Sequence, residues 1–192
     1  MKEFFALVIG LLIIQACTVN RNVIVTKEKI EIVNQKGKTK KARKLTFESE
    51  LDCSAKQIWD AYQNFDFMNK ISKPKGKLKP KKGYQVPEKW IKSKIDSFNL
   101  TVLGFVPIGS HFIRWEKIDE ENFVIQTREK GGFVSVWDNR IEIKPTSDST
   151  CVYRDELVLR AGILTGFTTT WAKDFYKYRH KKLKEYCTQH GI

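Results

Sequence analysis

His111, Asn139, Tyr153 and Asp155 are polar side chains that an alternating strand pattern turns toward the same side as aromatic and aliphatic neighbours. The clearest case is Cys151 to Arg160. There Val152, Arg154, Glu156, Val158 and Arg160 alternate with Cys151, Tyr153, Asp155, Leu157 and Leu159, and the charge lies almost wholly in the first set. The second set therefore faces inward. A carboxylate on an inner face must be paired or protonated, and His111 or Tyr153 can partner Asp155. A His/Asp pair of this kind can move a proton on a bound molecule, while the same four residues equally suit a closed hydrogen-bond cluster. His180, Cys187 and His190 lack the close paired spacing of a zinc site, and the chain has no phosphate-binding glycine loop, HExxH or GxSxG segment. No metal and no cofactor is expected.

The elements that must hold these residues follow from periodicity. Leu45, Phe47, Ser49 and Leu51 alternate with charged and hydroxyl residues, the pattern of a half-exposed strand. Ser54 and Gln57 then have the spacing of a capping box, followed by Ile58, Trp59, Ala61 and Tyr62 on one stripe of a short helix. Between Met68 and Trp90 come three prolines, two glycines and a lysine at nearly every other position from Lys73 to Lys81, which reads as an exposed loop. Strand-like runs at 100–106, 111–118, 123–128, 133–144 and 151–160 are parted by short turns, Pro107-Ile108-Gly109 among them, so the segment predicts an antiparallel meander. After Gly162 and Gly166 the period lengthens, and Trp171, Phe175 and Tyr178 mark a long amphipathic helix whose other face carries Lys173, Lys177, Lys181 and Lys184.

The same parity places Ile113 and Trp115, Phe123 and Ile125, and Phe133, Trp137 and Asn139 on the inner face, opposite Trp171 and Phe175. Bulky rings lining a strongly bent sheet need not meet the helix laid across it. The gap between them is a candidate ligand cavity, and a solid core is the alternative.

At the other end, Phe4 to Ile14 is an unbroken run of eleven small or apolar residues, about half the length needed to cross a bilayer, and reads as a removable signal-peptide core over residues 1–16. Ile14-Gln15-Ala16-Cys17 resembles the bacterial lipobox. That resemblance implies lipidation of Cys17, whose acyl chains would anchor the protein to a membrane of the bacterial cell envelope. No acidic residue lies within ten positions after Cys17, so a periplasm-facing location is the default. Residues 17–43, which hold one strand-like piece and a basic stretch, read as a tether. Removing Cys17 leaves Cys53, Cys151 and Cys187, an odd number that permits at most one disulfide. A domain of this size can build a core without one, so all three are read as small buried hydrophobes.

At 192 residues, with 41% hydrophobic and 30% charged, the chain has the balance of one globular domain and not of a disordered or polytopic membrane protein. Its net charge of +13 is concentrated in 18–46, 70–94 and 173–185. Only eight of the 35 basic residues are Arg, and 70–94 has none. Lysine lacks the bidentate fork that reads bases, and export removes the partner, so nucleic acid is not expected; an anionic lipid surface close to the anchor is a better match, at ~1 kcal/mol per lysine, and a solvated flexible loop with no partner is the equal alternative.

The order strand, short helix, basic loop, meander and long terminal helix resembles the SRPBCC superfamily of START-like, helix-grip proteins over residues 44–188. Pro107-Ile108-Gly109-Ser110-His111, Trp137-Asp138-Asn139-Arg140, Tyr153-Arg154-Asp155, Ala161 to Thr165 and Phe175 to His180 look like one bacterial branch of it. The resemblance implies an α+β fold in which a curved antiparallel sheet wraps around the C-terminal helix. It also implies a hydrophobic small molecule or lipid as partner, held by Ile113, Trp115, Phe123, Ile125, Phe133, Trp137, Asn139, Tyr153, Asp155, Trp171 and Phe175, in a monomer. Two further readings stay open: a cyclase or hydratase using His111 and Asp155, and an envelope scaffold with a filled core and no pocket above ~300 Å³.

Overall fold

The alternation around Phe47 becomes a strand that crosses the whole sheet. In the computed structural model, which describes residues 23–34 and 36–190, the elements run β1 (Ile24–Val33), β2 (Thr39–Leu51), α1 (Ala55–Tyr62), α2 (Phe65–Ser72), β3 (Gly76–Pro80), β4 (Ile95–Val102), β5 (Val106–Asp119), β6 (Val124–Gly131), β7 (Val134–Pro145), β8 (Cys151–Arg160), a 3-10 turn (Gly162–Leu164) and α3 (Thr165–His190). The signal segment and Cys17 lie outside the described residues. One eight-stranded antiparallel sheet of order β1-β2-β8-β7-β6-β5-β4-β3 curves around α3. This is the expected α+β helix-grip architecture.

Local chemistry accounts for the junctions. Ser54 caps α1 by accepting from the Gln57 amide at 3.2 Å. The Gln57 side chain does not turn back to complete a capping box; its Nε2 donates 2.8 Å to the His190 carbonyl at the far end of α3. Asn64 caps α2 by accepting from the Phe67 amide at 3.0 Å, and this helix runs on to Ser72, into the stretch from Met68 expected to be loop.

That stretch also contains β3, and the lysine spacing is its strand parity: Lys77 and Lys79 point out, while Gly76 is buried and Leu78 half-buried. Lysines along an edge strand oppose pairing with another chain. Asn69 clamps the other side of this strand, donating to the Leu78 carbonyl and accepting from the Leu78 amide, each at 2.9 Å. Trp90, at the end of the expected loop, is buried and stacked on Trp115 at 4.3 Å.

Two other expectations change. Within the stretch read as a tether, β1 and the first residues of β2 are hydrogen-bonded into the sheet, paired from Ile24↔Glu48 to Val33↔Thr39. Pro107-Ile108-Gly109 is no turn but part of β5, where a register irregularity against β4 absorbs the proline. β4 correspondingly begins at Ile95, before the expected Leu100.

Two apolar clusters flank the helix. Tyr176 stacks on Phe47 at 5.0 Å beside Leu45, Leu157 and Ala172; the other gathers Ile58, Trp59, Tyr62, Tyr153 and Leu183 under α1 and α2. Cys53 and Cys187 form a disulfide that ties the β2–α1 junction to the last turns of α3, so they are not the free hydrophobes expected. Cys151 is free and buried, and burial pushes its thiol up to about 11. A cross-link spanning 134 residues restricts the unfolded chain strongly. The paired replacement Cys53→Ala and Cys187→Ala should lower unfolding free energy by about 2–5 kcal/mol in denaturant titrations, without exposing Cys151 to thiol reagents in the native state.

Candidate ligand-binding site

The helix lies directly on β2 and β8 but stands away from β4–β6, where the sheet curls up beside it. The space left is a cavity of about 370 Å³. Its sheet wall includes Ile113 and Trp115 of β5, Ile125 and Thr127 of β6, and Trp137, Asn139 and Ile141 of β7; Trp171, Phe175 and Tyr176 of α3 close the other side. Strand parity alone puts these residues on one face, and the 3.6-residue period of α3 aims the opposing rings at them. The rings brace one another: Trp171 stacks on Phe175 at 5.3 Å and meets Trp137 at 5.9 Å. Trp115 is held by its indole N–H donating 2.7 Å to Asp96. Apolar side chains crowd the mouth, where Leu103, Phe133 and Phe167 line the cavity and are 50%, 47% and 70% exposed.

Beneath the cavity lies a closed polar cluster built on Asp155, which is fully buried. Arg179 donates to its Oδ1 at 2.5 Å, Tyr153 to the same oxygen at 3.2 Å, and His180 Nε2 to Oδ2 at 3.2 Å. Tyr62 joins through the Tyr153 hydroxyl at 2.6 Å, and Ser49 meets His180 Nδ1 at 2.6 Å. Burial would raise the Asp155 carboxyl, but the Arg179 guanidinium and His180 outweigh it and hold it below its ordinary 3.8. Burial lowers His180 from 6.5, with Asp155 opposing only in part, so the imidazole is neutral and donates from Nε2. Burial works against the Arg179 charge as well, yet Asp155 and the tyrosines keep it firmly protonated. Its guanidinium sits 4.3 Å over the Tyr176 ring.

His111 takes no part in that cluster. Following the registers, Asp155 lies opposite Ile141, Ile141 opposite Ile125 and Ile125 opposite Ile118, seven residues along β5 from His111. Three strand spacings, about 14 Å, also intervene. The pair expected for a cyclase or hydratase is therefore not assembled. His111 Nε2 instead meets Glu129 Oε2 at 2.8 Å, and Thr127 donates to Glu129 Oε1 at 2.7 Å.

Of the residues expected on the wall, Ile113, Trp115, Ile125, Phe133, Trp137, Asn139, Trp171 and Phe175 line the cavity, with Phe133 at its mouth. Tyr153 and Asp155 face inward but lie below it in the closed cluster. Phe123 precedes β6 with φ 50° and packs against Trp59 at 5.7 Å, away from the cavity. Sequence reading missed Glu129, although it follows Ile125 and Thr127 in the same parity. It also missed Arg179 and His180, each four residues after an inward ring of α3 and so on the same stripe. His180, Cys187 and His190 are committed separately, the last through Nδ1 to the Tyr186 carbonyl at 2.9 Å.

A curved sheet gripping a terminal helix, with a cavity between them, is the START-like helix-grip fold. Residues 49–187 match the family described as a domain of unknown function (DUF8410), and the chain belongs to that family. Its fold is shared with a START superfamily protein from Mycobacterium smegmatis, 13% identical over 76% of this chain and 97% of that one, with a TM-score of 0.60. CalU16 from Micromonospora echinospora has a TM-score of 0.53 at 7% identity, over 86% of this chain and 90% of that one. Norcoclaurine synthase from Thalictrum flavum, solved in complex with dopamine and hydroxybenzaldehyde, has 0.51 at 13%, over 89% and 91%. No curated protein matches the chain by sequence.

The lowered values of His180 and Asp155 mean that the native state binds fewer protons than the unfolded chain, so acid favours unfolding. The His180 contribution is complete above 6.5 and is lost as pH falls below it; that of Asp155 is complete above 3.8 and is lost below. Urea unfolding midpoints measured from pH 8 to pH 3 should fall in both windows, and His180→Gln should flatten the first alone. A wild-type midpoint that stays level down to pH 5 would contradict a neutral buried imidazole.

Proposed function

We propose that the protein is a membrane-anchored binding protein that holds a hydrophobic small molecule or lipid between the sheet and α3. The observation that carries this reading is the cavity of about 370 Å³ with an aromatic and aliphatic wall. Packed interiors leave few voids larger than one water, at ~30 Å³ each. The cavity also exceeds the ~300 Å³ below which a filled-core scaffold would have been the better reading.

The anchor is the Cys17 lipid, in the envelope of a bacterium and facing the periplasm. Cys17 stands seven residues before β1, a span of about 20 Å when extended. β1 enters the sheet beside Glu48, at the end opposite the Phe133 mouth. The β3 lysines stand at the mouth end of the sheet, the end opposite the start of β1.

Native mass spectrometry after expression in bacteria should show co-purified lipid-sized adducts, and a panel of fatty acids and phospholipids should raise the melting temperature. Leu100→Trp, which fills space on the cavity wall, should abolish that rise while leaving the ligand-free protein folded. Apo protein alone, with no shift across the panel, would overturn the reading.

A further inference from the structure

Among the described residues that line the cavity, one carboxylate, Glu129, has no Lys or Arg partner and is held by His111 and Thr127 alone. Glu129 of β6 is flanked in register by Ile113 and Trp137, both apolar, and its side chain is only 14% exposed. Thr127 and His111 each give one hydrogen bond to a separate Glu129 oxygen, at 2.7 and 2.8 Å. An ionised carboxylate accepts about four, so both oxygens keep room for a further donor. Across the strand from Thr127, Asn139 is buried with an Oδ1 that has no hydrogen-bond partner.

The site is also built sterically. A Cβ on Gly131 would come 2.5 Å from the Ser110 carbonyl oxygen and 3.1 Å from His111 Nδ1, so the glycine gives the imidazole its place opposite. Arg179, the cation on the helix side of the cavity, is paired with Asp155 beneath and stacked on Tyr176, and its buried Nε has no hydrogen-bond partner. Among the described lining residues, Arg179 makes its ion pair with Asp155 and not with Glu129, whose one ring-nitrogen partner is His111.

We propose that Glu129, His111 and Thr127 form the head-group site of the cavity and select an apolar ligand carrying a hydroxyl or ammonium group over one carrying a carboxylate. The inference rests on the cavity being a ligand site and adds the chemistry of the ligand's polar end. A hydroxyl or ammonium donates to the open lone pairs of Glu129, with Asn139 Oδ1 as a second acceptor. A carboxylate offers lone pairs to lone pairs and is repelled. The surface works in the opposite direction, because a net charge of +13 attracts carboxylates. A preference for donors must therefore arise inside.

Trp115, Trp137 and Trp171 line the cavity and report occupancy by fluorescence. Titration with decan-1-ol, decylamine and decanoate in high salt, which screens the surface, should give alcohol and amine affinities at least about tenfold above that of decanoate. Glu129→Gln should erase this ranking while leaving the protein folded. Should that variant not fold, Thr127→Val stands in and should weaken decan-1-ol severalfold. Decanoate binding as tightly as the others, or a ranking unchanged by the substitutions, overturns the head-group site and leaves the cavity reading intact. No response to any of the three overturns both.

Discussion

A fully buried carboxylate cannot stay charged alone, and in this fold its partners come from the element that must be gripped. Asp155 sits in the middle strand of the β2-β8-β7 floor, and the two groups that outweigh its burial, Arg179 and His180, are consecutive residues of α3. The pairing sets both the rotation and the axial position of the helix. A turn of α3 that moved Arg179 away would leave a buried charge uncompensated, which typically costs 3–5 kcal/mol. The Tyr176 ring stacked on Phe47 and the Cys53–Cys187 disulfide hold the same placement from either side.

Once α3 is fixed on β2 and β8, the cavity follows from the curvature of the sheet. The strands farthest from the floor, β3 to β5, rise beside the helix, and wide rings from both sides brace one another before the space closes. The polar groups separate into two levels. Those of the floor are paired around Asp155 and hold the fold together, with Arg179 Nε alone of the guanidinium left buried and unpartnered, whereas Glu129 and Asn139 in the wall retain unused acceptors. On the head-group proposal, stability and recognition fall to different carboxylates.

The lysines illustrate how one pattern can be read two ways. Alternating Lys, Pro and Gly from Lys73 to Lys81 has the composition of a loop, yet its period of two is that of a strand. It becomes β3 because β4 supplies hydrogen bonds on one side and Asn69 imitates a neighbouring strand on the other. Neither partner is local in sequence, so composition prevailed in the reading and tertiary pairing prevailed in the fold.

Local periodicity determined the architecture here: the inward set from Cys151 to Leu159, the cap at Ser54, the helix after Gly166 and most of the aromatic wall are consequences of spacings of two and about 3.6 residues. Those spacings say which face a side chain occupies but not how far along a strand it sits from a residue on another. Whether Asp155 meets His111 or His180, whether Cys53 joins Cys187 or Cys151, and whether Glu129 meets His111 or Arg179 all depend on register and on where the helix comes to rest. These are distances between elements remote in the chain, and only the folded structure sets them.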